Sequence, residues 1–283
     1  MSQLIRMRQR IKAIKTIKKI THALRLISMS THLRLRSRKN TIEEYKKTLS
    51  DLYAGFNNFI VNWHHPLMAL GNKSGASLVI LVGSQKGLCG NFNTELYAFF
   101  AKEMSKKNKQ HVSLIAIGKK AHDYAKIGSG TIIMSFDEFS MLNVQKISHT
   151  ITNYILESAH LYSSVTVYSN ISKTFFSQKP QLTTVIPFVV EQPLEQKSFD
   201  QDDYIWEQKP SDIMNYLVEK LLYMMIYELL FQSLIAEQAA RFIAMDNSTR
   251  SASKLLDSMQ LTYNKMRQSK ITGELTDLIG GFF

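Results

Sequence analysis

The chain has 283 residues and is 45% hydrophobic, enough to build the core of one large domain or two modest ones. Its single cysteine, Cys89, excludes an intramolecular disulfide; no Cys/His cluster has zinc spacing, and no run of ~18 apolar residues offers a membrane span. The net charge of +12 is concentrated in residues 1–42, which hold twelve Lys and Arg and no acid, while the remainder balances 23 basic against 23 acidic residues, so a partner that reads the charge meets the N-terminal segment.

With five prolines and twelve glycines, the composition favours long uninterrupted elements. Residues 1–63 are expected to form one helix. Its seam steps through Leu4, Met7, Ile11, Ile14, Ile17, Thr21, Leu24, Ser28, Thr31 and Leu35, then Ile42, Tyr45, Leu49, Leu52, Phe56, Phe59 and Trp63. Steps of three and four are coiled-coil spacing, and such a rod is roughly 90 Å long. Small residues at Thr21, Ser28 and Thr31 leave room for a partner helix. His64, His65 and Pro66 end the helix, and 71–75 reads as a linker.

From there the pattern changes to short apolar runs. Strands are expected at 77–82, 112–117, 131–134, 165–169 and 183–190, with Pro187 placing the last at an edge. Helices are expected at 92–106, 119–127 and 144–162. The alternation implies a small, mainly parallel α/β layer fold. Residues 191–210 are polar and irregular. A second long helix then starts at Pro210-Ser211-Asp212 and meets no proline before Phe283. Its seam is read as Gln238, Phe242, Met245, Ser248, Ala252, Leu255, Met259, Thr262, Met266 and Ser269. The fold class expected is α/β plus long α-helices: an antiparallel, left-handed two-helix coiled coil (1–63 and 211–283) with an inserted Rossmann-like α/β domain (64–210). Apolar residues that point away from the seam near the two chain ends (Ile5, Leu26, Ile27, Ile271, Leu278) call for a further partner.

Little in this chain resembles an active site. The loop 83–93 follows a strand and opens a helix, a place that often cradles phosphate, but it has neither a Walker Gly-Lys-Ser/Thr nor G-x-G-x-x-G. Cys89 reads as a lone buried thiol rather than a nucleophile. Glu219, Glu228, Glu237 and Asp246 recur at intervals of nine, share no helix face, and read as mostly solvated. The basic first helix could bind nucleic acid, yet its seam runs on through the charged region and no aromatic precedes Tyr45. Two alternatives therefore stand beside a mechanical role: a basic coiled-coil nucleic-acid binder, and a nucleotide-dependent enzyme centred on 83–93.

Four segments, in order, carry a family resemblance. They are Lys19-Ile20-Thr21-His22-Ala23-Leu24, Lys86-Gly87-Leu88-Cys89-Gly90, the run from Ala236 to Met245 (AEQAARFIAM), and the run from Leu261 to Leu275 (LTYNKMRQSKITGEL). Together they resemble the gamma subunit of the bacterial F-type ATP synthase across essentially the whole chain. The resemblance implies a non-catalytic rotor shaft that needs no cofactor of its own. It implies partners alpha, beta, epsilon and the c-ring, with delta indirect and no nucleic acid. It further implies that proton flow turns the shaft and drives ATP synthesis on beta. The expected location is the cytoplasmic face of a bacterial inner membrane, peripheral and held through the c-ring; the absence of a transit peptide suggests the bacterial origin. Residue by residue, the resemblance sets Leu24 and Arg25 opposite an acidic loop of beta, where Lys18 and Lys19 would also suit an acid. It gives Arg241 a coupling role, makes Arg267 and Gln268 a catch against beta, and places Tyr204, Trp206 and Glu207 at the c-ring. Departures include Gln85, Gln208, Lys209, and the bulky Phe282 and Phe283, which are expected to seat the shaft tip more tightly.

Overall fold

The computed structural model describes residues 2–57, 63, 65, 67, 76–106, 112–128, 131–158, 161–187 and 208–280. The expectations placed on Phe59, on 71–75, on Tyr204, Trp206 and Glu207, and on Phe282 and Phe283 lie outside the described residues. In chain order the elements are α1 (Ser2–Asn57), β1 (Ala76–Val82), α2 (Phe92–Lys106), β2 (Val112–Ile117), α3 (Lys119–Ala125), β3 (Thr131–Phe136), α4 (Val144–Ser158), β4 (Tyr162–Thr174), β5 (Ser177–Ile186) and α5 (Pro210–Gly280). The chain divides into two compact units: Met1–Ser30 with Arg241–Phe283, and Thr31–Ala240. Both long helices contribute to both units.

The larger unit, 31–240, is built on a five-stranded sheet ordered β3-β2-β1-β4-β5. β1 pairs in parallel with β2 and β4, β2 in parallel with β3, and β5 runs antiparallel to β4. The central strands read as unbroken apolar runs because both their faces are covered. Val79 and Leu81 point to one side, where they meet Leu96 of α2 and Ala121 and Ala125 of α3. Leu78, Ile80 and Val82 point to the other, into a core that includes Ile147, Ile151 and Ile155 of α4, Leu35, Ile42 and Leu49 of α1, and Met214, Val218, Leu222 and Leu230 of α5. Burying each such side chain contributes ~1.5–3 kcal/mol. Within this unit α5 therefore meets apolar neighbours on several sides.

Several boundaries depart from expectation: Trp63 lies outside α1, which ends at Asn57, β3 runs on to Phe136, α3 ends at Ala125, and two other differences are larger. The helix expected over 144–162 stops at Ser158, and Tyr162 already begins β4. The last strand runs Ser177–Ile186, joined to β4 by a tight turn at 175–176, so residues 169–182 form a hairpin that extends past the end of β1. That hairpin was missed because its strands, Asn170–Thr174 and Ser177–Pro180 among them, alternate polar residues and show no apolar run. β5 is an edge strand as expected, but the proline inside it is Pro180, not Pro187.

In the smaller unit α1 and α5 run antiparallel: Arg25 lies beside Asp246, and Thr21 beside Thr249. Met245, Thr249, Ala252 and Leu256 are buried, with Met259, Tyr263 and Met266 half-buried after them. The steps alternate four and three residues, a regular heptad. The expected seam had one of the two heptad rows right (Met245, Ala252, Met259, Met266) and the other displaced by one. Ser248 and Thr262 are exposed, and Leu255 is 46% exposed while Leu256 is buried. Ser248-Thr249 and Leu255-Leu256 are pairs of near-equal polarity, so hydropathy alone could not choose between them. α1 shows the same shift: Ile17 is 48% exposed whereas Lys18 is half-buried.

Candidate functional site

The sheet order turns at β1: β2 and β3 lie to one side, β4 and β5 to the other. In open α/β sheets ligands enter the crevice beyond the strand ends at such a point. Here the loop 83–91 leaves β1 at that place. Gly83 donates to the Ile117 carbonyl at 2.9 Å, and a Cβ on Gly83 would sit 2.7 Å from the Tyr97 hydroxyl. Gly118 has φ 88°, and a side chain there would collide with the Gly83 carbonyl, so only glycine lets the two loops approach. Asn93 ties the loop down: its Oδ1 accepts from the Ser84 amide at 3.0 Å, and its Nδ2 donates to Ser84 Oγ at 2.8 Å. Asn170 of β4, buried, donates to the Phe92 carbonyl at 2.9 Å and draws the start of α2 toward β4. Into this place α5 inserts two small residues, and Ala236 and Ala240 pack with Cys89 and Phe92. Cys89 of the Lys86–Gly90 motif and Ala236 and Ala240 of the Ala236–Met245 motif are therefore two sides of one joint. Cys89 is buried within it, as expected.

Three of the four acids of α5 correct the solvated reading, while Glu219 is exposed as expected. Glu228 is 15% exposed at its side chain and accepts from Lys46 of α1 at 2.7 Å. Glu237 is buried. Asp246 is 14% exposed and accepts from Arg25 at 2.6 Å and from Arg250 at 2.7 Å. The hydrogen bond from Arg25 holds the Asp246 carboxyl below the usual carboxylate range. The face argument failed for Glu228 and Glu237 because α5 is covered on several sides in the larger unit, so a separate face is not an exposed one. A sequence signal did exist. Leu4, Ile11, Lys18, Arg25, His32, Lys39, Lys46 and Tyr53 recur every seven residues on α1, and every one is buried or half-buried. Basic residues thus occupy the middle of that heptad row, from Lys18 to Lys46. His32, buried, donates Nδ1–H to the Ile235 carbonyl at 3.3 Å and meets Phe175 of the hairpin edge-on; burial pushes its imidazole pKa down.

In the smaller unit an open groove of about 550 Å³ is lined by Lys15, Lys18, Lys19 and His22 of α1 and by Thr249, Leu256, Asp257 and Gln260 of α5. Its cationic side suits a carboxylate or phosphate. Leu24, one turn on from Lys19 and Ile20, is half-buried, and Arg25 is engaged by Asp246. Arg241 is buried. Arg267 and Gln268 are exposed on α5, roughly 30 Å along the helix from Asp246. The fold thus places Leu24, Arg25 and Arg241 toward one end of the smaller unit and Arg267 and Gln268 well away from them. Large apolar side chains also stand exposed here: Leu261, Ile271, Leu275, Leu278 and Ile279 on α5, and Ile5, Ile20, Leu26 and Ile27 on α1. Among the described residues no His/Cys/Asp/Glu group could hold a metal ion, and no helix is long and apolar enough to cross a membrane.

Three comparisons bear on these features. The ATP synthase family matches residues 3–283. A protein of Bdellovibrio bacteriovorus named ATP synthase gamma chain is 30% identical over 99% of this chain and 98% of its own, and one of Chlorobium phaeobacteroides with the same name is 28% identical over 97% and 96%. A chain in the structure of the Euglena gracilis mitochondrial ATP synthase (OSCP/F1/c-ring) superposes with a TM-score of 0.68 at 16% identity, covering 99% of this chain and 94% of that one. A second chain, from the rotor of the same enzyme, gives 0.64 at 16% identity over 95% and 99%; these two show the fold.

Proposed function

The chain belongs to the ATP synthase gamma family and is a central-stalk subunit of that complex, and we propose that it works as the rotor shaft, with ATP made or hydrolysed on neighbouring subunits and not on this chain. In this reading segments 1–63 and 211–283 form the shaft and 64–210 the head. The shaft turns inside a ring of three alpha and three beta subunits, driven through the c-ring by proton flow. Gamma shifts each beta subunit between conformations only by binding them with different energies at different angles. The observation that carries the proposal is the run of exposed apolar side chains along the helices of the smaller unit, Leu261 through Ile279 on α5 and Ile5 through Ile27 on α1.

The groove lined by Lys15, Lys18 and Lys19 supports an acidic partner beside Leu24, the place the family gives to a loop of beta. Arg267 and Gln268, exposed, are available as a catch against beta, and buried Arg241 takes a coupling role from within the shaft. Tyr204, Trp206 and Glu207 are proposed for the c-ring contact, with epsilon beside them and delta reached indirectly. The site of action is the cytoplasmic face of a bacterial inner membrane, held peripherally through the c-ring. The test is purification of tagged chain from native membranes, scored for alpha and beta and for magnesium-dependent ATP hydrolysis. Both should be recovered, and hydrolysis should be lost when Arg267 and Gln268 are changed to alanine. Recovery of nucleic acid without alpha or beta would refute the proposal.

A further inference from the structure

In the larger unit, the tip of the β4–β5 hairpin departs from ordinary turn chemistry. Beyond the end of β1 its two strands pair only with each other, a ribbon that is marginal in water by itself. A two-residue hairpin turn calls for Asn-Gly or a similar pair with positive φ. Here Phe175 and Phe176 hold the turn, and neither has a positive φ. Gln178 Nε2 donates to the Phe175 carbonyl at 2.7 Å and fixes it. Phe175 has a use within the chain, since its ring meets the buried His32 of α1 edge-on at 4.9 Å. Phe176 lies edge-on to Phe175 at 5.1 Å and is still 78% exposed. Cations flank it. Lys173 is the extra residue of a bulge between Ser172 and Thr174, which takes it out of the ladder, and Lys179 stands on the opposite strand; both are exposed. Arg36 of α1, also exposed, is near enough for its charge to act on His32. Neither 169–182 nor 31–42 contains an acid.

We infer that this tip is a docking surface for a carboxylate-rich segment of the alpha and beta ring, met and released as the shaft turns. The inference rests on the rotor reading and adds to it a contact made by the head. Phe176 supplies a rigid aromatic anchor, and Lys173, Lys179 and Arg36 steer an acidic segment toward it. A single aromatic ring with a few cations is far smaller than a permanent interface, which covers ~800 Å² on each partner. Charges at a rim speed encounter more than they hold a complex together. The surface therefore suits a partner that comes and goes with rotation, rather than a subunit that rotates with the shaft.

The test uses the complete ATP synthase with p-benzoylphenylalanine in place of Phe176, irradiated while magnesium-ATP keeps the shaft turning. Cross-links should join this chain to alpha or beta. Adding Lys173→Glu and Lys179→Glu should lower their yield about fivefold, the scale of two exposed ion pairs. Raising the salt should lower the yield with the native lysines and not with the reversed charges. Recovery of alpha and beta with the chain should stay the same in every variant, which also shows that the fold is kept. A cross-link to epsilon or the c-ring would overturn the inference, as would a cross-link to the ring that ignores both charge and salt. So would silence at position 176 while the same probe in place of Leu278 joins alpha or beta. Failure of the wild-type chain to recover alpha and beta would instead overturn the rotor reading beneath it.

Discussion

One helix, α5, lives in two environments. Between Met214 and Ala240 it is buried against α1, α4 and the loop at the end of β1, and Leu222, Phe231 and Ala236 are fully covered. From Arg241 to Gly280 it has only α1 beside it within its unit, and from Ile271 onward every described side chain is exposed. The same helical backbone is stabilised by tertiary packing in the first stretch and by one thin seam in the second. The difference separates what the chain completes by itself from what it leaves to a partner.

The comparison breaks most visibly if the larger unit is not the source of stability. Leu222→Ala, in its core, should cost ~2–5 kcal/mol in urea unfolding of the isolated chain. Next is the joint. Ala236→Leu puts three more carbons where Cys89 and Phe92 already pack, and ~1–3 kcal/mol should be lost on the same measurement.

Acid should divide the units more subtly. Burial holds the His32 imidazole neutral in the folded chain, so as pH falls through about 6.5 the unfolded chain takes up a proton that the folded one resists, and stability of the larger unit declines. Asp246 has a lowered pKa, so its contribution is complete above about 4 and is lost only as pH falls below that, through its folded value. Unfolding midpoints from pH 8 to 3 should show the first decline flattened in His32→Gln and the second in Asp246→Asn. The smallest effect is expected at the tip: Leu278→Ser should shift stability of the isolated chain by no more than ~0.5 kcal/mol. The same change should weaken recovery of alpha and beta from membranes.

Legibility in the sequence followed the same division. The runs 77–82 and 112–117 stood out because strands covered on both faces carry no polar alternation to confuse them. The hairpin 169–182 was hidden because its strands are polar. One heptad row of each long helix could be read from Met245, Ala252, Met259 and Met266 and from Met7, Ile14, Ser28 and Ile42. The second row could not, because on α1 it is occupied by Lys18, Arg25, His32, Lys39 and Lys46, residue types that hydropathy assigns to water. The ion pairs at Asp246 and Glu228 were lost with it, since a carboxylate on one helix acquires meaning only when the base opposite is placed. The coupling residues carried by the resemblance are set in context by the fold, most clearly Arg25, whose guanidinium is already engaged within the chain.

The most direct measurement is amide hydrogen exchange along α5, in the isolated chain and in the assembled ATP synthase. The account predicts that residues 214–240 are protected in both, while 260–280 exchange rapidly in isolation and slowly in the complex. Equal protection of 260–280 in the two states would contradict it, because the exposed end of α5 would then need no partner.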